Sequence, residues 1–311
     1  MIGRVGEMNR TAYIFPGQGS QYIGMGKDLY DGSPAARAVF QVAEKVLGAG
    51  FCDLIFFGEE EELKKTVNAQ PALLTMSIAC LEAARESGVV PDADFVAGHS
   101  LGEYSALVAC NALHLEDALR LTRARGDLMF RAGLHDPGTM AAVIGTDMDS
   151  VREACEETGS FIANLNCPGQ IVISGSPEAV SGCRSFFRKK GAGRVLPLAV
   201  SGAFHSPLMK SAAEGMLPLI QGSAVADPEV PVIGNTGAAE LVTADDIKSE
   251  LAEQICGCVR WEASIRMMIE RGVRTFYEIG PGTVLKNLLS RTAPDVQCIS
   301  MGTMEDIRDG R

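Results

Sequence analysis

The sequence predicts an α/β protein, a mainly parallel sheet interrupted by a smaller βαββαβ unit. Short apolar runs alternate with helical stretches along most of its 311 residues, the rhythm of strands joined by crossover helices. Two of these runs pass through glycine-rich turns, Pro16-Gly17-Gln18-Gly19-Ser20 and Gly98-His99-Ser100-Leu101-Gly102. Between Gly138 and Leu198 the rhythm changes to two strands in direct succession and then reverts.

Taken in order, residues 11–15 form a short apolar strand that enters the first turn. Helical patterns follow at 33–46, 59–66 and 69–86, and 94–97 is the next strand. The second turn leads into a helix rich in small residues that ends near Cys110. Residues 115–132 make another helix, with Glu116 and Asp117 in its first turn where the helix dipole favours negative charge. The middle unit reads as strand 140–144, helix 149–157, strands 161–165 and 170–174, helix 177–190 and strand 194–198. That order is the ferredoxin-like split arrangement. The larger pattern resumes at 231–234 and 274–279. The expected organisation is therefore a discontinuous large domain, 1–135 with 200–311, and a small domain at 136–199 inserted into it.

Composition excludes several classes of function. With 28 basic and 39 acidic residues the net charge is −11, which argues against a general nucleic-acid binder needing a basic face. The longest apolar stretch, 71–84, carries Thr75, Ser77 and Glu82 and is shorter than the roughly 20 residues of a membrane span. No membrane partner is expected. The polar N-terminus does not read as a signal peptide, and Met8 is a candidate alternative start. Nine cysteines lie scattered without repeated spacing, so the expectation is reduced thiols in the cytoplasm. Cys256 and Cys258 form the one close pair with no second pair opposite, which argues against a metal site.

Gly98-His99-Ser100-Leu101-Gly102 is the chain's one G-x-S-x-G. It lies between a strand and a helix, the setting of a nucleophile elbow, where a sharp turn projects the serine hydroxyl and the helix N-terminus favours developing negative charge. A serine nucleophile needs a base. Of the four histidines, His99 neighbours the serine and should point away from it, while His114 and His135 sit in turns flanking the next helix. By elimination His205, in Gly202-Ala203-Phe204-His205-Ser206-Pro207, is the best candidate. It follows the serine in chain order, as the base does in α/β-hydrolases. No acidic third member can be chosen from the residues alone. The early turn lacks the Lys-Ser/Thr ending of a P-loop and the G-x-G-x-x-G of a dinucleotide site, so no cofactor is expected. Its better role is to supply one backbone N–H to an oxyanion hole, with Leu101 N–H as the second.

Together with these motifs, Arg125-Gly126, Asn164-Leu165-Asn166-Cys167-Pro168-Gly169-Gln170 and Gly280-Pro281-Gly282 appear in order. The set resembles the malonyl-CoA:acyl carrier protein transacylases and the related acyltransferase domains of polyketide synthases, over about residues 12–301. The resemblance implies an α/β-hydrolase-like catalytic domain and ping-pong transfer of a malonyl group from malonyl-CoA to an acyl carrier protein, supplying fatty-acid synthesis. It implies Ser100 as the malonyl-carrying nucleophile and His205 as its base. It also implies oxyanion donors on Gln18 and Leu101, and a base-orienting main-chain carbonyl on Gln254. Matching Arg-Gly-x-x-Met selects Arg125 as the partner of the malonyl carboxylate, with Asn166 and Gln70 lining the pocket. Phe204 matches the malonyl-type signature and would crowd a methyl-branched extender. The strip Arg188-Lys189-Lys190 with Arg194 lies near the expected cleft, and Lys190 and Arg194 are candidate docking residues for the acidic carrier. Competing readings are a serine esterase or thioesterase, a polyketide acyltransferase and a silent acyl-binding subunit.

Overall fold

The computed structural model describes residues 9–310; the candidate start at Met8 lies outside the described residues. Its strands are β1 (Arg10–Phe15), β2 (Phe95–Gly98), β3 (Thr139–Ile144), β4 (Phe161–Cys167), β5 (Gln170–Gly175), β6 (Arg194–Pro197), β7 (Val232–Ile233), β8 (Glu240–Leu241), β9 (Val273–Ile279) and β10 (Gln297–Met301). They form two sheets, one in the order β10-β9-β1-β2-β7-β8 and one in the order β4-β5-β3-β6.

The large sheet is parallel throughout except for the terminal β7–β8 pair. Its central strand β1 is buried from Thr11 onwards, as expected for a parallel strand covered on both faces. On one side lie the helices Pro34–Leu47, Thr66–Glu86 and Leu115–His135, whose apolar residues share a core with Tyr13, Phe15 and Val96. On the other, Ala12, Ile14 and Ala97 pack with Trp261, Ile265 and Met268 of the helix Trp261–Glu270.

The small sheet is wholly antiparallel. Strand alternation divides its side chains between two cores. Ala141, Val143, Ile171 and Ile173 pack with Val151, Ala154, Val180 and Phe187 of the helices Met148–Thr158 and Pro177–Lys190. Met140, Ala142, Ala163 and Val172 join the main core on the opposite face. Strand β4 is also tied to the segment before Trp261, because Leu165 N–H donates to the Val259 carbonyl and Val259 N–H to that of Ala163 (2.8 and 2.9 Å).

One expectation is corrected. In place of a helix over 59–66 and a second over 69–86, a short helix Glu60–Lys64 precedes a continuous Thr66–Glu86 with Pro71 inside it. Proline has no N–H for the carbonyl four residues back. That carbonyl, of Val67, instead accepts from Arg123 Nη1 at 3.0 Å, so the helix passes through the proline with its polar groups met.

Candidate active site

The turn after β2 and the turn after β1 lie against each other. A Cβ on Gly98 would come within 1.9 Å of the Gly102 carbonyl, and one on Gly102 within 2.1 Å of the Phe15 carbonyl oxygen. Neither position accommodates a side chain, which gives a physical reason for the two glycines of the motif. Between them Ser100 adopts φ 51°, a left-handed conformation uncommon outside glycine. His205 is also left-handed, at φ 56°. Strain of this kind persists where surrounding structure over-determines the backbone. At Ser100 that support is Asn235, whose Oδ1 accepts from Ser100 N–H at 2.7 Å and whose Nδ2 donates to the Gly98 carbonyl at 2.7 Å.

Ser100 Oγ lies 2.8 Å from His205 Nε2. The other ring nitrogen, Nδ1, faces two carbonyls, Gln254 at 2.9 Å and Gly257 at 3.1 Å. Both are acceptors, so the proton sits on Nδ1 and Nε2 presents a lone pair to the serine hydroxyl. Burial, seconded by the Arg125 charge, pushes the His205 pKa down to about 3. The imidazole is therefore neutral at ordinary pH and able to accept the serine proton.

Arg125 is 1% exposed and reaches the same point from the helix Leu115–His135. Its Nη1 donates to Gln70 Oε1 at 2.8 Å, and its Nη2 to Gln254 Oε1 at 2.8 Å and to Ser100 Oγ at 3.2 Å. The guanidinium also lies 5.9 Å from the Tyr104 ring centroid, while its Nε has no hydrogen-bond partner among the described residues. Gln70 is held by Thr66, since its Nε2 donates to Thr66 Oγ1 at 2.9 Å, and Thr66 in turn donates to Gln18 Oε1 at 2.8 Å. The early turn, the long helix and the arginine thus form one connected chain.

The remaining expected residues divide. The N–H groups of Gln18 and Leu101 make no hydrogen bond among the described residues. Asn166, on β4, accepts through Oδ1 from His99 Nε2 at 2.9 Å, and the His99 ring meets Trp261 edge-on. Asn166 therefore braces the elbow's neighbouring histidine. Phe204 is buried in the main core and its ring sits over Gly202, where an added Cβ would come within 3.0 Å. Lys190 and Arg194 share no hydrogen bond or ion pair with this cluster among the described residues. Arg194 opens β6, the sheet edge opposite β4, with β5 and β3 between them. Lys190 is also engaged already, pairing with Glu153 and lying 4.9 Å from the Phe186 ring centroid.

Sequence reasoning missed Asn235 and the role of Glu103. Glu103 Oε1 accepts from Asn235 N–H at 3.0 Å and Nδ2 at 2.9 Å, and its Oε2 accepts from Gln254 Nε2. A glutamate as the one charged residue of the helix Gly102–Ala109 was the available signal. Asn235 sits in the turn after β7 and carries no local signal. Among the described residues no group of three or more His, Cys, Asp or Glu is arranged to hold a metal ion.

Comparison with known proteins places the chain among acyl-group transferases. A family model described as an acyl transferase domain matches residues 12–309. The Bacillus subtilis (strain 168) malonyl CoA-acyl carrier protein transacylase is 47% identical over 305 residues, covering 96% of either chain. The solved acyl-carrier-protein-S-malonyltransferase of Bartonella henselae superposes with a TM-score of 0.92 at 41% identity, covering 96% of this chain and 98% of that one. A malonyl-transacylase solved in complex with a type II polyketide synthase acyl-carrier protein superposes with a TM-score of 0.93 at 38% identity, covering 97% and 98%.

Proposed function

The chain belongs to the acyl transferase domain family, and on that premise we infer that it moves a malonyl group from malonyl-CoA to the phosphopantetheine thiol of an acyl carrier protein. The observation that carries this reading is the convergence of a serine, a neutral imidazole and a buried guanidinium on one oxygen, Ser100 Oγ. A neutral acyl substrate does not call for a buried guanidinium beside the nucleophile. A malonyl group does, because its carboxylate must remain ionised out of water and a guanidinium satisfies it.

Ser100 Oγ attacks the thioester carbonyl and its proton passes to His205 Nε2, which lies 2.8 Å away. The negative charge that develops on the carbonyl oxygen is received by the N–H groups of Gln18 and Leu101. As the intermediate collapses, the C–S bond breaks and His205 returns the proton to the departing CoA sulfur. The carrier thiol then gives its proton to His205 and attacks the serine ester. The C–O bond breaks, and Ser100 recovers its hydrogen. Gln254 stands where many serine enzymes use a carboxylate, since its carbonyl orients Nδ1–H without adding charge. Asn166 and Gln70 hold His99 and Arg125 in place beside the acyl group, and Phe204 narrows the space for a branched extender.

Intact-protein mass spectrometry after mixing with malonyl-CoA and no carrier tests the reading. A persistent malonyl adduct is expected; consumption of malonyl-CoA with no adduct would instead indicate a thioesterase. The depressed His205 pKa has its own consequence. The acid limb of the Ser100 acylation rate is expected well below pH 6.5, where an ordinary imidazole would lose its lone pair. The same shift costs stability in acid. The unfolded chain takes up the proton near 6.5 and the folded chain only near 3, so stability falls as pH drops through that interval. Rapid-quench acylation across this range checks the first statement and thermal melting the second.

In this reading residues 136–199 are a ferredoxin-like domain inserted into an α/β-hydrolase-like domain made of 1–135 and 200–311. Its support is the βαββαβ order with β3 between β5 and β6. The nine cysteines are free thiols and, among the described residues, no helix is long and apolar enough to cross a membrane. Both fit a cytoplasmic enzyme of fatty-acid synthesis. Carrier docking is assigned to Lys190 and Arg194, supported by the exposed basic end of the helix Pro177–Lys190. The charge-reversed pair K190E/R194E is expected to raise the KM for the carrier several-fold and leave that for malonyl-CoA unchanged. Steady-state titration of each substrate checks this, and an unchanged carrier KM would remove the assignment.

A further inference from the structure

Arg125 is a buried cation whose hydrogen-bond partners, among the described residues, are two amide oxygens and a hydroxyl, with no carboxylate in contact. A carboxyl is nevertheless wired to it through one side chain. Gln254 Oε1 accepts from Arg125 Nη2, while Gln254 Nε2 donates to Glu103 Oε2 and to the Ser100 carbonyl, the latter at 2.8 Å. The main-chain carbonyl of the same Gln254 orients His205.

An amide can be turned end for end, and the two faces of Gln254 differ only in what they meet. Glu103 decides between them. Its three partners, Asn235 N–H, Asn235 Nδ2 and Gln254 Nε2, all donate, so the glutamate serves here only as an acceptor. Burial and the neighbouring Glu250 push its pKa well up, and the donors from Asn235 and Gln254 together with the Arg125 charge pull against that. With Glu103 accepting, Nε2 of Gln254 must face it and Oε1 must face Arg125.

We propose that Glu103 is a positioning residue for substrate selection: as a buried acceptor it fixes the polarity of the Gln254 amide, which in turn holds Arg125 where a malonyl carboxylate would meet it. The proposal rests on the malonyl reading above. A carboxyl placed directly on Arg125 would occupy the guanidinium and compete with the substrate. Placed one amide away, Glu103 leaves Arg125 free to exchange the Ser100 hydroxyl, held at 3.2 Å, for a carboxylate.

The test is E103Q, in which a donor must face a donor whichever way the new amide turns. Binding of malonyl-CoA and of acetyl-CoA is measured by calorimetry on S100A, where no acyl transfer occurs, and on S100A/E103Q. S100A is expected to prefer malonyl-CoA. E103Q is expected to weaken malonyl-CoA binding roughly 10-fold or more and leave acetyl-CoA unchanged. Absence of any malonyl preference in S100A would overturn the malonyl reading itself. A preference that survives E103Q would overturn only the role of Glu103. E103Q/Q254E restores the donor–acceptor match between residues 103 and 254 while giving up the bond to the Ser100 carbonyl, so it keeps the question open to measurement should E103Q fail to fold. Its melting temperature is expected to lie above that of E103Q, with malonyl-CoA still weakly bound because a carboxylate at 254 sits directly on Arg125. Full recovery of malonyl affinity in that double variant would overturn the proposal.

Discussion

Ser100→Ala is expected to lower malonyl transfer by roughly four to six orders of magnitude, the scale seen when a serine enzyme loses its nucleophile. No malonyl adduct should form with this variant at any concentration of malonyl-CoA. The physical reason is that the remaining groups cannot substitute for the oxygen. His205 Nε2 and Arg125 Nη2 both aim at Ser100 Oγ, at 2.8 and 3.2 Å, and neither can carry an ester through the exchange of thiols. Folding should survive, because the hydroxyl contributes few contacts and the Ser100 backbone is held independently by Asn235. Near-normal melting together with a missing adduct is therefore the expected pair of results. Rapid carrier malonylation by the alanine variant would remove Ser100 as the residue that carries the malonyl group.

Arg125→Ala is expected to reduce kcat/KM for malonyl-CoA by roughly 100- to 1000-fold, corresponding to about 3–4 kcal/mol, and to spare acetyl-CoA. The magnitude follows from leaving a carboxylate in a buried site without its charged partner. Selectivity is thus the discriminating readout. A general loss of stability would lower both substrates together, whereas loss of a carboxylate partner lowers one. Because Arg125 also bonds Gln70 and Gln254, some loosening of the site accompanies the truncation. Competition between malonyl-CoA and acetyl-CoA for acylation of Ser100 measures the ratio free of that background. An equal fall for both substrates would remove the selectivity role.

Much of the fold was legible because its determinants are local. The predicted helix 177–190 coincides with Pro177–Lys190, where Ser176 caps the start by accepting from Ala179 N–H and Gly191 ends it in a left-handed conformation. Strand predictions for the small sheet fell within a few residues, since alternation of its side chains between two cores writes a period of two into the sequence. The expected break between 66 and 69 is absent, and the helix runs from Thr66 to Glu86 with Pro71 inside it. Only a side chain from another helix, that of Arg123, explains why Val67 tolerates the missing N–H.

For the candidate site, the sequence by itself determined the groups that need a special backbone or a rare residue type. Ser100 between its glycines, His205 by elimination among four histidines and the glycine turn holding Gln18 all carry local signatures. The tertiary structure alone decided how charge and polarity are arranged around them. Asn235 reaches the elbow across 135 residues and Gln254 across 154, and one amide of Gln254 joins Arg125 to Glu103. Periodicity and turn chemistry act over a few residues, so they specify elements and the positions strained within them. Burial of polar groups is met by whichever partners the packed elements bring near, and that matching has no counterpart in local sequence.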